Sequence, residues 1–163
     1  CRLFNAKAIA VAANDEKLAQ AHKLGAAHTI NRTKENVSEA VHKITSKRGV
    51  DVVFEHVGKE TWPTSVQSLR RGGTIVTCGA TTGFDAITDL RFLWNKRLNL
   101  LGSHMGTKAD LIEALRFVEN GDIRPVVSQV LRLADVRQAH VLIEENKSVG
   151  KIVLIPDQTD SSQ

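Results

Sequence analysis

Short apolar runs alternate with amphipathic segments along almost the whole chain. Residues 8–13 are apolar throughout, the pattern of a strand covered on both faces. Asn14, Asp15 and Glu16 then offer a cap and first-turn acids for a helix, which Gly25 stops. Residues 28–30 predict the next short strand. The helix after it sets Val37, Ala40, Val41 and Ile44 on one face and ends near Gly49. Residues 51–54 predict a third strand, and the helix carrying Trp62, Val66 and Leu69 is expected to run to Gly72 and Gly73. The β-branched run from Thr74 to Thr77 marks a buried strand. A short helix over 89–95 leads to a strand over 98–101. Thr107, with Asp110 three residues later, opens a helix that Gly121 closes. Beyond Pro125, two more apolar runs (126–133 and 150–156) flank a helix with Val136, Ala139, His140 and Ile143 on it. Residues 157–163 form a polar tail, expected to fray.

Alternation of this kind predicts an α/β fold with a parallel sheet. Ligands in such sheets lie in the crevice beyond the carboxyl ends of the strands. Cys78, Gly79 and Ala80 put small residues where the chain leaves a strand, so backbone can approach a ligand closely there. The stretch from Arg71 to Gly83 therefore predicts one wall of a cofactor cleft.

Composition narrows the function classes. At 163 residues, 42% hydrophobic and 25% charged, the chain suits one ordinary soluble domain. No apolar run is long enough to cross a membrane and no signal peptide is visible, so a cytoplasmic, reduced protein is expected. The formal charge is +4, but Lys and Arg are dispersed among acids, with five Phe, two Trp and no Tyr. A nucleic-acid reader would want a basic stripe with stacking aromatics, and none is present. Cys1 and Cys78 lack any CxxC or HExxH partner, and the six His show no ligand spacing, so no metal site is expected.

Several segments then occur in a telling order: Asn14-Asp-Glu-Lys-Leu18, Lys23-Leu-Gly-Ala26, Val53-Phe-Glu-His-Val-Gly58, Arg71 to Gly83, Gly102 to Gly106 and Gly150 to Pro156. Together they resemble the C-terminal half of the medium-chain dehydrogenase/reductase superfamily, with zinc alcohol dehydrogenases, quinone oxidoreductases and crotonyl-CoA-type enoyl reductases among its members. The resemblance implies a Rossmann-type doubly wound sheet. It implies an NADP-binding domain over 1–124, a segment over 125–157 that packs into a separate catalytic domain, and a tail over 158–163. The family's first strand and glycine-rich phosphate loop would precede Cys1, and this chain holds no GxGxxG. The remainder of the enzyme, or a second chain, is expected to fill the central slot of that strand. Zinc ligands, where relatives have them, would belong to the other domain, so this chain is not expected to bind zinc. A small-molecule substrate and a homo-oligomer are implied.

The same resemblance supplies candidate residues. NAD enzymes place an acid after the second family strand to accept the ribose 2′-OH. Here Ala12, Ala13 and Asn14 stand there, with Lys17 one turn on and Arg32 after the next strand. An amide and two cations suit a 2′-phosphate and favour NADP(H) over NAD(H), although Lys17 and Arg32 also read as ordinary surface charges and Asn14 as a helix cap. His56 and Val57 match the nicotinamide-ribose pocket, and His56 reads equally well as a half-buried, satisfied histidine. Thr77, Cys78 and Gly79 match the nicotinamide-side wall through backbone. Ser103 and Met105 match positions that meet the carboxamide, with packing the other reading for Met105. His104 matches an active-site histidine of crotonyl-CoA-type reductases, and otherwise reads as an exposed strand-end residue.

These readings converge on the cofactor half of an NADPH-dependent reductase of carbonyl- or thioester-activated double bonds. A zinc-dependent alcohol dehydrogenase and a non-catalytic dinucleotide-binding or assembly module are the alternatives. With the phosphate loop placed outside residues 1–163, the isolated chain is expected to be inactive and to bind dinucleotide poorly. Isothermal titration of residues 1–163 with NADPH measures this. Micromolar or tighter binding by a monomer would contradict that placement.

Overall fold

The computed structural model describes residues 1–156. The first two apolar runs pair as parallel strands β1 (Ile9–Ala12) and β2 (His28–Asn31), with Ile9 opposite His28 and Ala12 opposite Asn31. Helix α1 (Asp15–Lys23) connects them, packs on both strands and buries Leu18. Its cap is the predicted one: Asn14 Oδ1 accepts the Lys17 N–H at 2.9 Å. Helix α2 (Val37–Ile44) is capped in the same way by Asn36. Its apolar face buries Ala40 and Val41 with Ile30, while Ile9, Val37, Ile44 and Val50 pack around them.

A second sheet holds β3 (Val50–Glu55), β4 (Leu69–Thr77) and β5 (Asn99–Gly102), all parallel and in that order. Helices α3 (Trp62–Ser68) and α4 (Leu90–Lys96) make its crossovers. Val66, Leu69 and Ile75 are buried together, and Val50, Val53, Trp62, Phe92 and Leu98 pack against them. Val50 thus touches both clusters and α2 packs on α3, so the two sheets share one compact unit, Cys1–Gly106. Among the described residues, β1 pairs only with β2, and β3 only with β4.

Two expectations need correction. The helix before the glycines stops at Ser68, because Leu69 is already extended (ψ 141°), pairs with Val50 and is buried in the core. Gly72 and Gly73 therefore lie inside the span of β4, at an irregularity of its ladder. The strand over 8–13 is also less covered than its apolar run suggests: Val11 is 45% exposed, and Val52 and Phe54 of β3 are exposed as well.

A second unit begins at Thr107. Helix α5 (Lys108–Glu119) carries the predicted capping box, Thr107 with Asp110. Strands β6 (Val127–Arg132) and β7 (Lys151–Ile155) pair in parallel, connected through α6 (Val136–Glu144), which buries Ala139. The polar tail from residue 157 onward lies outside the described residues. Among the described residues, no helix is long and apolar enough to cross a membrane.

One glycine is indispensable to the start of β4. Gly49 has φ +84°, and an added Cβ would stand 2.7 Å from Arg70 N and 2.8 Å from Ser68 O. Gly72 also has positive φ (+71°), yet its Cβ would meet only the flexible Arg70 guanidinium, at 3.2 Å. Gly49→Ala is expected to cost ~2 kcal/mol or more and Gly72→Ala about 1 kcal/mol, from backbone conformation alone. Urea unfolding monitored by circular dichroism measures the difference, and equal losses would contradict it.

Candidate functional site

Parallel register brings three strand ends together. Glu55 lies opposite Thr77, and Thr77 opposite Gly102, so the loops after β3, β4 and β5 leave one sheet edge. Backbone hydrogen bonds then join those loops. The N–H of Cys78 donates to Glu55 O (3.1 Å), that of Thr82 to Val57 O (2.8 Å), and that of Ser103 to Thr77 O (2.9 Å). The Lys59 N–H donates to Gly83 O at 3.0 Å. His56, Val57, Thr77, Cys78, Gly79 and Ser103 are thereby gathered into one wall, with His104 and Met105 following directly on the third loop.

The wall offers mostly backbone and small side chains. Val57 and Thr77 are half-buried, whereas His56, Cys78, Ser103 and His104 are exposed. Met105 has φ 54° and is 87% exposed. Gly58 lets the loops close: its φ is +95°, and a Cβ there would stand 2.5 Å from Gly83 O.

Beneath the wall lies a residue that the sequence reading passed over. Glu55 is only 4% exposed. Its Oε1 accepts the N–H groups of Val57 (2.8 Å) and Gly58 (3.1 Å) and the Thr61 hydroxyl (2.9 Å), while Oε2 accepts the Ser65 hydroxyl. Burial by itself pushes its pKa up. The hydrogen bonds from Ser65, Gly58, Val57 and Thr61 outweigh that and hold the carboxyl below its ordinary value. A signal existed in the sequence: an acid closing an apolar strand, two residues before a Val-Gly pair, with hydroxyls at 61 and 65 one helical turn apart.

The remaining candidates form a separate group, at the ends of β1 and β2. Asn14 spends its oxygen on the helix cap. The Arg32 N–H donates to Ala12 O at 3.0 Å and the Thr33 hydroxyl reaches Ala13 O at 3.4 Å, tying the two strand ends together. Asp15 is the nearby acid, and it is engaged: Lys34 Nζ donates to it at 2.5 Å and the amide of buried Asn31 at 2.7 Å. Lys34 first, and Asn31 second, lower its pKa. The side chains of Lys17 and Arg32 make no hydrogen bond or ion pair with the described residues. Two cations therefore stand available, Lys17 in the first turn of α1 and Arg32 directly after β2, and cations of this kind suit a phosphate. Among the described residues, no three His, Cys, Asp or Glu side chains converge as metal ligands do.

Known proteins share this architecture. A family model described as zinc-binding dehydrogenase matches residues 1–120. Crotonyl-CoA reductase of Streptomyces avermitilis is 34% identical over 154 residues, which cover 93% of this chain and 34% of the relative. Quinone oxidoreductase-like protein 2 of Bos taurus is 30% identical, covering 93% of this chain and 46% of the relative. A crystal structure of an NAD-dependent alcohol dehydrogenase superposes with a TM-score of 0.88 at 37% identity, covering 94% of this chain and 45% of that one. The 2-octenoyl-CoA carboxylase reductase CinF, in complex with NADP and 2-octenoyl-CoA, superposes with a TM-score of 0.82 at 30% identity, covering 94% and 38%. The chain spans between about a quarter and a half of the length of the curated relatives it matches.

Proposed function

The chain belongs to the zinc-binding dehydrogenase family, within the medium-chain dehydrogenase/reductase superfamily, and from that premise we propose that it is the cofactor-binding part of an NADPH-dependent reductase of double bonds conjugated to a carbonyl or thioester. One observation carries the cofactor choice: among the described residues Lys17, in the first turn of α1, and Arg32, directly after β2, have no side-chain partner, while Asp15 is occupied by Lys34 and Asn31. The complex of CinF with NADP and 2-octenoyl-CoA, and the similarity to a crotonyl-CoA reductase and a quinone oxidoreductase-like protein, support the substrate class.

When bound, NADPH would supply the hydride for one carbon of the activated double bond, balanced by a proton at the other carbon, so that NADP⁺ and the saturated product would result. The residues of this chain bind and orient. Lys17, Arg32 and the Asn14 amide nitrogen take the 2′-phosphate. His56 and Val57 line the ribose next to the nicotinamide. Thr77, Cys78 and Gly79 bring backbone against the ring, and the backbone of Ser103 and Met105 meets the carboxamide. His104, exposed beside them, holds or relays the proton. In this reading residues 1–124 serve the cofactor, residues 125–157 pack into a catalytic domain, and the protein is a cytoplasmic homo-oligomer. A second reading, a zinc-dependent alcohol dehydrogenase, draws on the 37% identity to the alcohol dehydrogenase structure. Metal analysis of the purified full-length protein separates the two.

The cofactor assignment is tested by Lys17→Ala with Arg32→Ala in the full-length protein. The parent is expected to prefer NADP(H) over NAD(H), and the double variant to lose ~10-fold or more of that preference, since each charged contact serves only the phosphate. Equal kcat/KM for both cofactors in the parent would leave both residues as plain surface charges.

The role of His104 is tested separately. His104→Ala is expected to lower turnover by ~10²-fold or more while NADPH affinity stays nearly unchanged. His104→Gln keeps hydrogen bonding without titrating near neutrality, and so separates orientation from proton transfer. Unchanged kcat in both variants would reduce His104 to an ordinary loop residue.

A further inference from the structure

Loops at strand ends are held in place by whatever satisfies their backbone groups, because unpaired amides inside a protein are costly. At the nicotinamide-side wall, that duty falls largely on one side chain. The Glu55 carboxylate lies under the first loop and accepts four donors: two consecutive loop amides, Val57 and Gly58, and two hydroxyls of the segment leading into and through α3, Thr61 and Ser65. It therefore ties the loop both to the end of β3 and to the helix behind it. The loop passes this order on. Val57 O accepts the N–H and the hydroxyl of Thr82, each at 2.8 Å, and Glu55 O accepts the N–H of Cys78. The second loop is thus seated on carbonyls whose direction depends on the first. Gly58, pressed against Ala80 and Gly83, leaves no slack between them.

We propose that Glu55 is a positioning residue for the nicotinamide-side wall: its carboxylate, as an acceptor, locks the loop at 56–58 in the geometry that seats the loop at 78–83. The assignment rests on the dinucleotide reading above and names what sets the shape of that site. Glu55 touches no reacting atom. It acts through Val57 and Gly58, and through them on Thr82 and Cys78. Among the described residues, α1 with Lys17 and the turn after β2 with Arg32 share no hydrogen bond with this network. Loss of Glu55 should therefore weaken recognition of the nicotinamide half of the cofactor and spare the adenosine-phosphate half.

The test compares Glu55→Ala and Glu55→Gln in the full-length protein, with NADPH and with 2′,5′-ADP, which lacks the nicotinamide. Glu55→Ala is expected to weaken NADPH binding ~10-fold or more and lower kcat, because several hydrogen bonds of the wall are lost together. Its affinity for 2′,5′-ADP should stay within ~2-fold of the parent, since loops beyond hydrogen-bond contact couple weakly. Glu55→Gln keeps an oxygen for Val57, Gly58 and Thr61, and Ser65 can turn to accept from its amide. It should recover most of the NADPH affinity. Equal weakening of both ligands by Glu55→Ala, or Glu55→Gln no better than Ala, would overturn the assignment. A parent that binds neither ligand would instead refute the dinucleotide reading. Amide hydrogen exchange keeps the proposal testable even then: Glu55→Ala should speed exchange at Val57, Gly58, Cys78 and Thr82, but not in α1. Should Glu55→Ala fail to fold, Thr61→Val removes one donor from the same Oε1 and should move these readouts in the same direction by less. Unchanged exchange at Val57 and Gly58 in that variant would count against the proposal.

Discussion

A carboxylate leaves water only where donors replace the water it loses, and Glu55 imposes that demand at the point where β3 meets its loop. Two loop amides and two hydroxyls meet it, and in doing so fix the path of the chain from 55 to 65. Much of the wall follows from this. With that path set, the carbonyls of Glu55 and Val57 point where Cys78 and Thr82 can donate to them. The small side chains of 78–80 then matter less for what they are than for the backbone they leave accessible.

The frame behind the wall depends on parallel pairing and on one shared residue. Ile75 is wholly buried at the centre of the three-stranded sheet, and Val50 packs into its cluster as well as into that of Ile30, Ala40 and Val41. That contact and the packing of α2 on α3 hold two sheets in one unit although no ladder joins β1 to β3. Val11 of β1 and Val52 and Phe54 of β3 are exposed, so apolar surface on these strands faces water.

The electrostatics at the other strand ends work by exclusion. Lys34 and Asn31 both donate to the Asp15 carboxylate, and both donors come from β2 or the turn after it. Lys17 and Arg32 keep their charge unspent. Asn31 matters here as a buried amide that turns an unfavourable acid into a structural tie.

Local chemistry made much of this protein legible from its amino acids alone. Alternating apolar runs announced parallel strands, and the caps at Asn14 and Thr107 lay where hydrogen bonding to the first turn demands them. The order of short motifs pointed to the dehydrogenase superfamily. What remained hidden depended on partners distant in sequence. The helix that seemed to run to Gly72 stops at Ser68 because Leu69 is drawn into the core beside Val50, a contact no local pattern encodes. Glu55 looked like a polar residue after a strand, and only the fold surrounds it with Val57, Gly58, Thr61 and Ser65 at once. Asp15 read as a first-turn acid, and only β2 brings Asn31 and Lys34 to it across sixteen and nineteen residues of chain. Propensity and capping act over one turn and are written locally. Burial and hydrogen-bond satisfaction act across the fold, and there the tertiary structure decided.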